Sequence, residues 1–104
     1  MAELVWHLDA IADLESIAAY IARDSRRAAA QFTARIVEAS HRLRVHPRLG
    51  RRVPEIGDES YRELIFQNYR IVYRLLNDRV TLLGVLHAAM DLESQAERRA
   101  WDIT

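Results

Sequence analysis

The chain has 104 residues, fifteen basic and fifteen acidic, with a formal net charge of zero, so it is sized for one domain and not for bulk electrostatic coating of nucleic acid. Cysteine is absent, which excludes thiol catalysis, zinc-thiolate sites and a disulfide scaffold, and a domain of this length buries enough core to fold without them. The opening eight residues hold neither a basic segment followed by a long apolar run nor a membrane span, so the expected compartment is cytoplasmic.

Leu4, Trp6 and Leu8 alternate with Glu3, Val5 and His7, the period of a half-buried strand, and Asp9 is placed to cap a following helix. In that helix Ile11, Leu14, Ile17, Ala18 and Ile21 recur at three- and four-residue spacing and form one apolar stripe. Asp24-Ser25 breaks the pattern, and Ser25 can cap a second helix whose inner face is Ala29, Phe32, Ile36, Ala39 and Leu43. The two helices should form an antiparallel hairpin. His46-Pro47 ends the second, because proline drives its predecessor out of the α region.

No acidic residue lies between Glu38 and Glu55, yet Arg42, Arg44, Arg48, Arg51, Arg52, His41 and His46 all fall there. The negative pole of a helix accounts for Arg42 and Arg44, but not for the loop arginines Arg48, Arg51 and Arg52. Leu49-Gly50 turns the chain, and Val53 to Ser60, with Pro54 and Gly57, reads as a polar loop.

From Tyr61 the period changes to two. Tyr61 to Phe66, Tyr69 to Leu76 and Arg79 to His87 read as three strands joined by tight loops at Gln67-Asn68 and Asn77-Asp78, where asparagine tolerates positive φ. A two-residue loop at Asn77-Asp78 would pair Tyr69, Ile71, Tyr73 and Leu75 with Leu86, Gly84, Leu82 and Val80, an apolar face for the helices. The other face would carry Arg70, Val72 and Arg74 with Thr81, Leu83, Val85 and His87, extended by Tyr61, Glu63 and Ile65. Asp91 then caps a short terminal helix that Trp101 would anchor to the sheet. The expected fold is α+β: an N-terminal strand, a helical hairpin packed on a small antiparallel sheet, and a short C-terminal helix, all in one domain over residues 1–104.

Phosphate-loop, zinc, nucleophile-elbow and EF-hand motifs are missing, so no cofactor or metal is expected. The only catalytic residue types that share a predicted face are Glu63, Arg70 and His87, with Tyr61 and Arg74 beside them. RNA cleavage through a 2′-hydroxyl would need a base such as Glu63 or His87 and a cation such as Arg70. The plainer reading of Glu63 and Arg70 is a cross-strand ion pair. An arginine buried beside Val72 and Tyr73 would in any case require a partner or a ligand.

The chain order of these motifs also carries a resemblance. A strand, a helical hairpin, Pro-Arg-Leu-Gly-Arg-Arg-Val-Pro-Glu from Pro47, Tyr-Arg-Glu-Leu from Tyr61, Tyr-Arg-Ile-Val-Tyr-Arg from Tyr69 and Val-Leu-His from Val85 together resemble the RelE/ParE toxin superfamily, from Trp6 to about Ser94. The resemblance implies the toxin of a type II toxin–antitoxin, or plasmid-stabilisation, pair.

RelE-like ribosome-dependent mRNA endonucleases carry two lysines, two arginines and a tyrosine on the polar face. This chain keeps only Arg70 of these, with Tyr61 and Glu63 at the lysine positions, Met90 near the second arginine and Ala96 near the tyrosine. It looks more similar to the ParE branch, which implies inhibition of DNA gyrase without enzymatic activity of its own. Arg62, Arg70, Arg74, His87 and Met90 are then the target-binding candidates. Family members often carry arginine where Met90 stands, so an attenuated, non-toxic antitoxin-binding module is a third reading, after the endonuclease. A cognate antitoxin, ParD-like or related, would cover the hairpin and sheet edge, with Tyr20, Ile21 and Val37 as interface candidates. Sequence-specific binding of nucleic acid by this chain is not expected.

Overall fold

The computed structural model describes residues 1–101. Its elements run β1 (Glu3–Trp6), α1 (Leu8–Ala22), α2 (Arg26–Arg42), β2 (Arg51–Arg52), β3 (Tyr61–Phe66), β4 (Tyr69–Leu76), β5 (Arg79–His87) and α3 (Leu92–Arg98). One five-stranded sheet has the order β1-β5-β4-β3-β2. The expected α+β architecture is present, with two additions: Arg51 and Arg52, read as loop, form the edge strand β2, and one strand pairing is parallel. β1 pairs parallel to β5, which makes the sheet mixed, and an ion pair from Arg79 Nε to Glu3 Oε1 at 2.7 Å fastens the start of that pairing.

The first helix begins earlier than its composition suggests. Leu8 is its first residue and is exposed, not the third inward residue of a strand. His7, not Asp9, is the N-cap, with extended backbone and Nδ1 accepting from the Asp9 amide at 3.0 Å. Asp9 instead sits in the first turn, where its charge meets the positive end of the helix dipole. The second helix follows expectation, since the Ser25 hydroxyl accepts from the Ala28 amide at 3.0 Å.

The hairpin lays Leu14, Phe32, Ile36 and Leu43 on Ile71, Tyr73, Val80 and Leu82 of the sheet. Phe32 meets Phe66 and Tyr69 edge-on at centroid distances of 5.7 and 5.2 Å, a geometry that aligns ring edges with the electron-rich faces of their neighbours. Tyr73 is fully buried in this core, yet its hydroxyl is satisfied: it donates to Pro47 O at 2.7 Å and accepts from the Gly50 amide at 2.9 Å. Burial pushes the Tyr73 phenol up from its ordinary pKa. The helix-ending loop is thereby tied to the middle of β4.

The β4–β5 register departs from simple alternation. Leu75 pairs with Val80 and Tyr73 with Leu82 as expected, but an irregularity between Val72 and Tyr73 makes Leu83 an extra residue. Beyond it Ile71 faces Val85 and Tyr69 faces His87. Val85 therefore joins the core under the hairpin, and Leu86 turns to the other face. Gly84 beside the extra residue is the sequence signal for such a bulge. In the β3–β4 loop it is Gln67, with φ of 52°, that takes the left-handed conformation. At the other loop Asn77 and Asp78 both do, as a two-residue hairpin demands.

The face opposite the hairpin is not a bare polar surface. Val53, Ile56, Tyr61, Val72, Leu86 and Leu92 form a second buried cluster there. The segment read as a polar loop contributes Val53 and Ile56, and α3 closes over the cluster with Trp101 stacked on Tyr61 at 6.2 Å. Arg99 holds α3 to α1 through two hydrogen bonds to Asp13, at 2.8 and 2.9 Å.

Candidate functional site

The second face of the sheet has an ionic centre on β3 and β4. Register places Glu63 opposite Val72 and Arg70 opposite Ile65, so the two charged side chains are diagonal neighbours on one face. Glu63 is 1% exposed and Arg70 8%. Arg70 Nε donates to Glu63 Oε1 at 2.6 Å, and its Nη1 and Nη2 donate to the two oxygens of Glu55 at 2.7 Å each. The second oxygen of Glu63 accepts from Arg51 Nε at 2.7 Å. The result is a chain Arg51–Glu63–Arg70–Glu55 in which every nitrogen of Arg70 is engaged. Charges this deep are tolerated because each meets its opposite in good geometry.

The hydrogen bonds from Arg70 hold the Glu55 carboxyl below its ordinary value of 4.5, against the opposing effect of desolvation. The same bonds to Glu55, followed by the one to Glu63, raise the guanidinium pKa further against desolvation. A depressed folded-state pKa contributes stability above the unfolded value and loses it as pH falls through the folded value. Acidification from about pH 4.5 downward, through the depressed Glu55 value, should therefore weaken the Glu55–Arg70 tie to β4 and lower the urea midpoint. Glu55→Gln should shrink the difference in urea midpoint between neutral pH and about pH 3, and an unchanged difference would show that Glu55 carries no such linkage.

Beside this centre Arg74 lies over the Tyr61 ring at 4.9 Å and reaches Ser60 Oγ at 3.1 Å and Asp58 at 3.4 Å. Ser60 in turn holds the Asp58 carboxyl below its usual range through its backbone amide and hydroxyl.

Of the three residues grouped for nuclease chemistry, the structure brings together two. His87 lies on the hairpin face, edge-on to Tyr69 at 5.3 Å, and its Nδ1 accepts from the Ala89 amide at 3.1 Å. The extra residue in β5 is the physical reason, since it inverts the facing of everything after Leu83. Glu63 and Arg70 neutralise one another and leave no free base beside a free cation. At the other nuclease positions Tyr61 and Ala96 are buried, and Met90 is 41% exposed.

The remaining candidates separate by location. Arg62 points to the hairpin side, with Nη1 donating to Gly50 O at 2.7 Å. Tyr20 is 68% exposed and Val37 37%, whereas Ile21 is half-buried and packs against the main core. Val37 lines an apolar hollow with Trp6, Ile11, Leu14, Ala18 and Thr33, while Tyr20 lies outside it. Sequence reasoning missed Glu55 and Arg51, because a segment without periodicity gives no sign that it folds back onto a strand. Two faint signals existed: Glu55 is the first acid after the arginine run, and Val53 and Ile56 are its only branched apolar residues. No group of three or more His, Asp or Glu among the described residues could hold a metal ion.

These features define a small α+β domain whose sheet is covered on one side by a helical hairpin and closed on the other by an ion-pair chain and a short helix. Residues 4–92 match the family model described as ParE toxin of type II toxin-antitoxin system, parDE. The chain is 40% identical over 87 residues to "Putative toxin Y4kP" of Sinorhizobium fredii, covering 80% of this chain and 84% of that protein. A solved structure titled "Chromosomal ParDE TA system from P. aeruginosa" shares the fold, with a TM-score of 0.70 at 23% identity over 84% of this chain and 96% of that one. The chain belongs to the ParE toxin family of type II toxin–antitoxin systems.

Proposed function

We propose that this ParE-family toxin acts on DNA gyrase, not as a nuclease, and is neutralised by a cognate antitoxin. The observation that carries the reading is the state of Arg70. It is the one residue of the RelE-type nuclease set that the chain retains, and each of its nitrogens is spent on Glu63 or Glu55. A phosphodiester transition state needs uncommitted positive charge, and an acid at Glu63 opposes it. Family membership supplies the toxin context, and gyrase is the target that the ParE-like motifs imply.

The antitoxin part rests on the family and on the apolar hollow between α1, α2 and β1. Trp6, Ile11, Leu14 and Val37 offer anchors for an amphipathic helix at i, i+3 and i+4 spacing. The solved relative's title, which names a ParDE system, supports the same partner class.

Purified protein in excess over gyrase should inhibit supercoiling, and the antitoxin should reverse the inhibition. Primer extension on a translated message should show no new 3′ ends. Full supercoiling activity beside an excess of folded protein would overturn the gyrase reading, and ribosome-dependent cleavage would replace it with the nuclease.

A further inference from the structure

The arginines after α2 are not all explained by the helix dipole or by the ion-pair chain. β2 and β3 form a two-rung ladder whose rungs differ in sign. Arg51 stands opposite Glu63 and is paired with it, whereas Arg52 stands opposite Arg62. Like charges directly across a ladder destabilise it. Among the described residues no carboxylate lies within ion-pair distance of Arg48, Arg52 or Arg62.

Arg62 is the most buried of the three. Its Nη1 reaches the backbone oxygens of Gly50 and Arg48, at 2.7 and 3.5 Å, and its Nε is buried without a hydrogen-bond partner. Arg52 is exposed opposite it in the ladder, and Arg48, also exposed, lies next to it through its backbone oxygen. Blunting of an edge strand by charge explains an arginine on β2, but not one on the strand behind it.

We infer that Arg48, Arg52 and Arg62 form a docking surface for the phosphate backbone of duplex DNA. Anionic oxygens placed against the exposed Arg48 and Arg52 relieve the repulsion across the ladder. The choice of duplex over single strands follows from the absence of a stacking platform. Among the described residues Tyr20, on α1, is the one Trp, Tyr or Phe side chain that is well exposed. A phosphate lattice needs only unpaired guanidiniums, because counterion release drives its binding. The choice of DNA over duplex RNA rests on the gyrase reading. A neutral chain binds such a backbone weakly alone, and the surface matters where another protein already holds the DNA.

Fluorescence anisotropy of a labelled DNA duplex with the full chain, without gyrase, tests this across a salt series. The parent should bind at low salt, and Arg48→Gln with Arg52→Gln should weaken binding about tenfold or more and reduce the log–log salt slope by about 2. Arg26→Gln with Arg27→Gln makes the same charge change at the other end of α2 and should leave the slope unchanged. Equal losses in both pairs, no binding by the parent, or equally tight binding of a glutamate-rich peptide would overturn the proposal. Loss of supercoiling inhibition tests the gyrase reading separately, since the anisotropy measurement contains no gyrase.

Discussion

Replacing Arg70 with methionine is expected to destabilise the protein by about 3–5 kcal/mol, the range for removing one partner of a buried pair. Methionine keeps much of the length and flexibility, so the loss reports charge and hydrogen bonds more than volume. The Glu63 carboxylate, which is fully buried, would keep only Arg51, and Glu55 would lose its two-pronged partner. Glu63→Met should cost less, about 2–4 kcal/mol, because Arg70 retains both bonds to Glu55. The double variant should cost clearly less than the sum, since it removes the buried charges together and leaves Arg51 and Glu55 at the surface. Urea unfolding of the four proteins closes the cycle. Additive losses, or an Arg70→Met cost under about 1 kcal/mol, would show that the chain of ion pairs does not act as a unit.

Gly50→Ala should be nearly as damaging, at about 2–5 kcal/mol. A Cβ at this position would lie 2.6 Å from Glu63 O and 2.7 Å from both Cε1 and Oη of Tyr73. The obstacles are a strand backbone and a core side chain, neither of which can yield cheaply. Displacing Tyr73 would also break the bonds that its hydroxyl makes to Gly50 and Pro47. Tyr73→Phe isolates that second contribution and should cost about 1–3 kcal/mol. Thermal unfolding separates the two, and a neutral Gly50→Ala would mean that the 47–50 loop moves aside freely.

Most of the fold was legible because its elements announce themselves through period. The three- and four-residue stripes of α1 and α2, the Ser25 cap and the bounds of β3, β4 and β5 all follow from local pattern and turn chemistry. Leu75, Tyr73 and Ile71 could be placed under the hairpin for the same reason. The motifs that point to the toxin family lie on these same strands, so the family reading shared their legibility.

What failed depended on where a strand bulges and on which loop folds back onto the sheet. His87 was grouped with Glu63 and Arg70 by parity, and one extra residue at Leu83 moved it to the opposite face. Parity accumulates along a strand, so a single bulge reverses every later assignment while leaving earlier ones intact. Val53 and Ile56 sit in a segment with no repeat, and their burial follows from the cover that α3 and β3 provide.

The sequence by itself determined the helical hairpin, the three long strands and which side of β4 faces the helices, because these depend on periodicity within a few residues. Only the tertiary structure decided that Glu63 and Arg70 are closed off by Arg51 and Glu55, that Arg62 is left facing Arg52, and that the second face is a core. Those outcomes depend on which side chains meet across the sheet, and a Coulombic or packing contact between segments leaves no local trace in the chain.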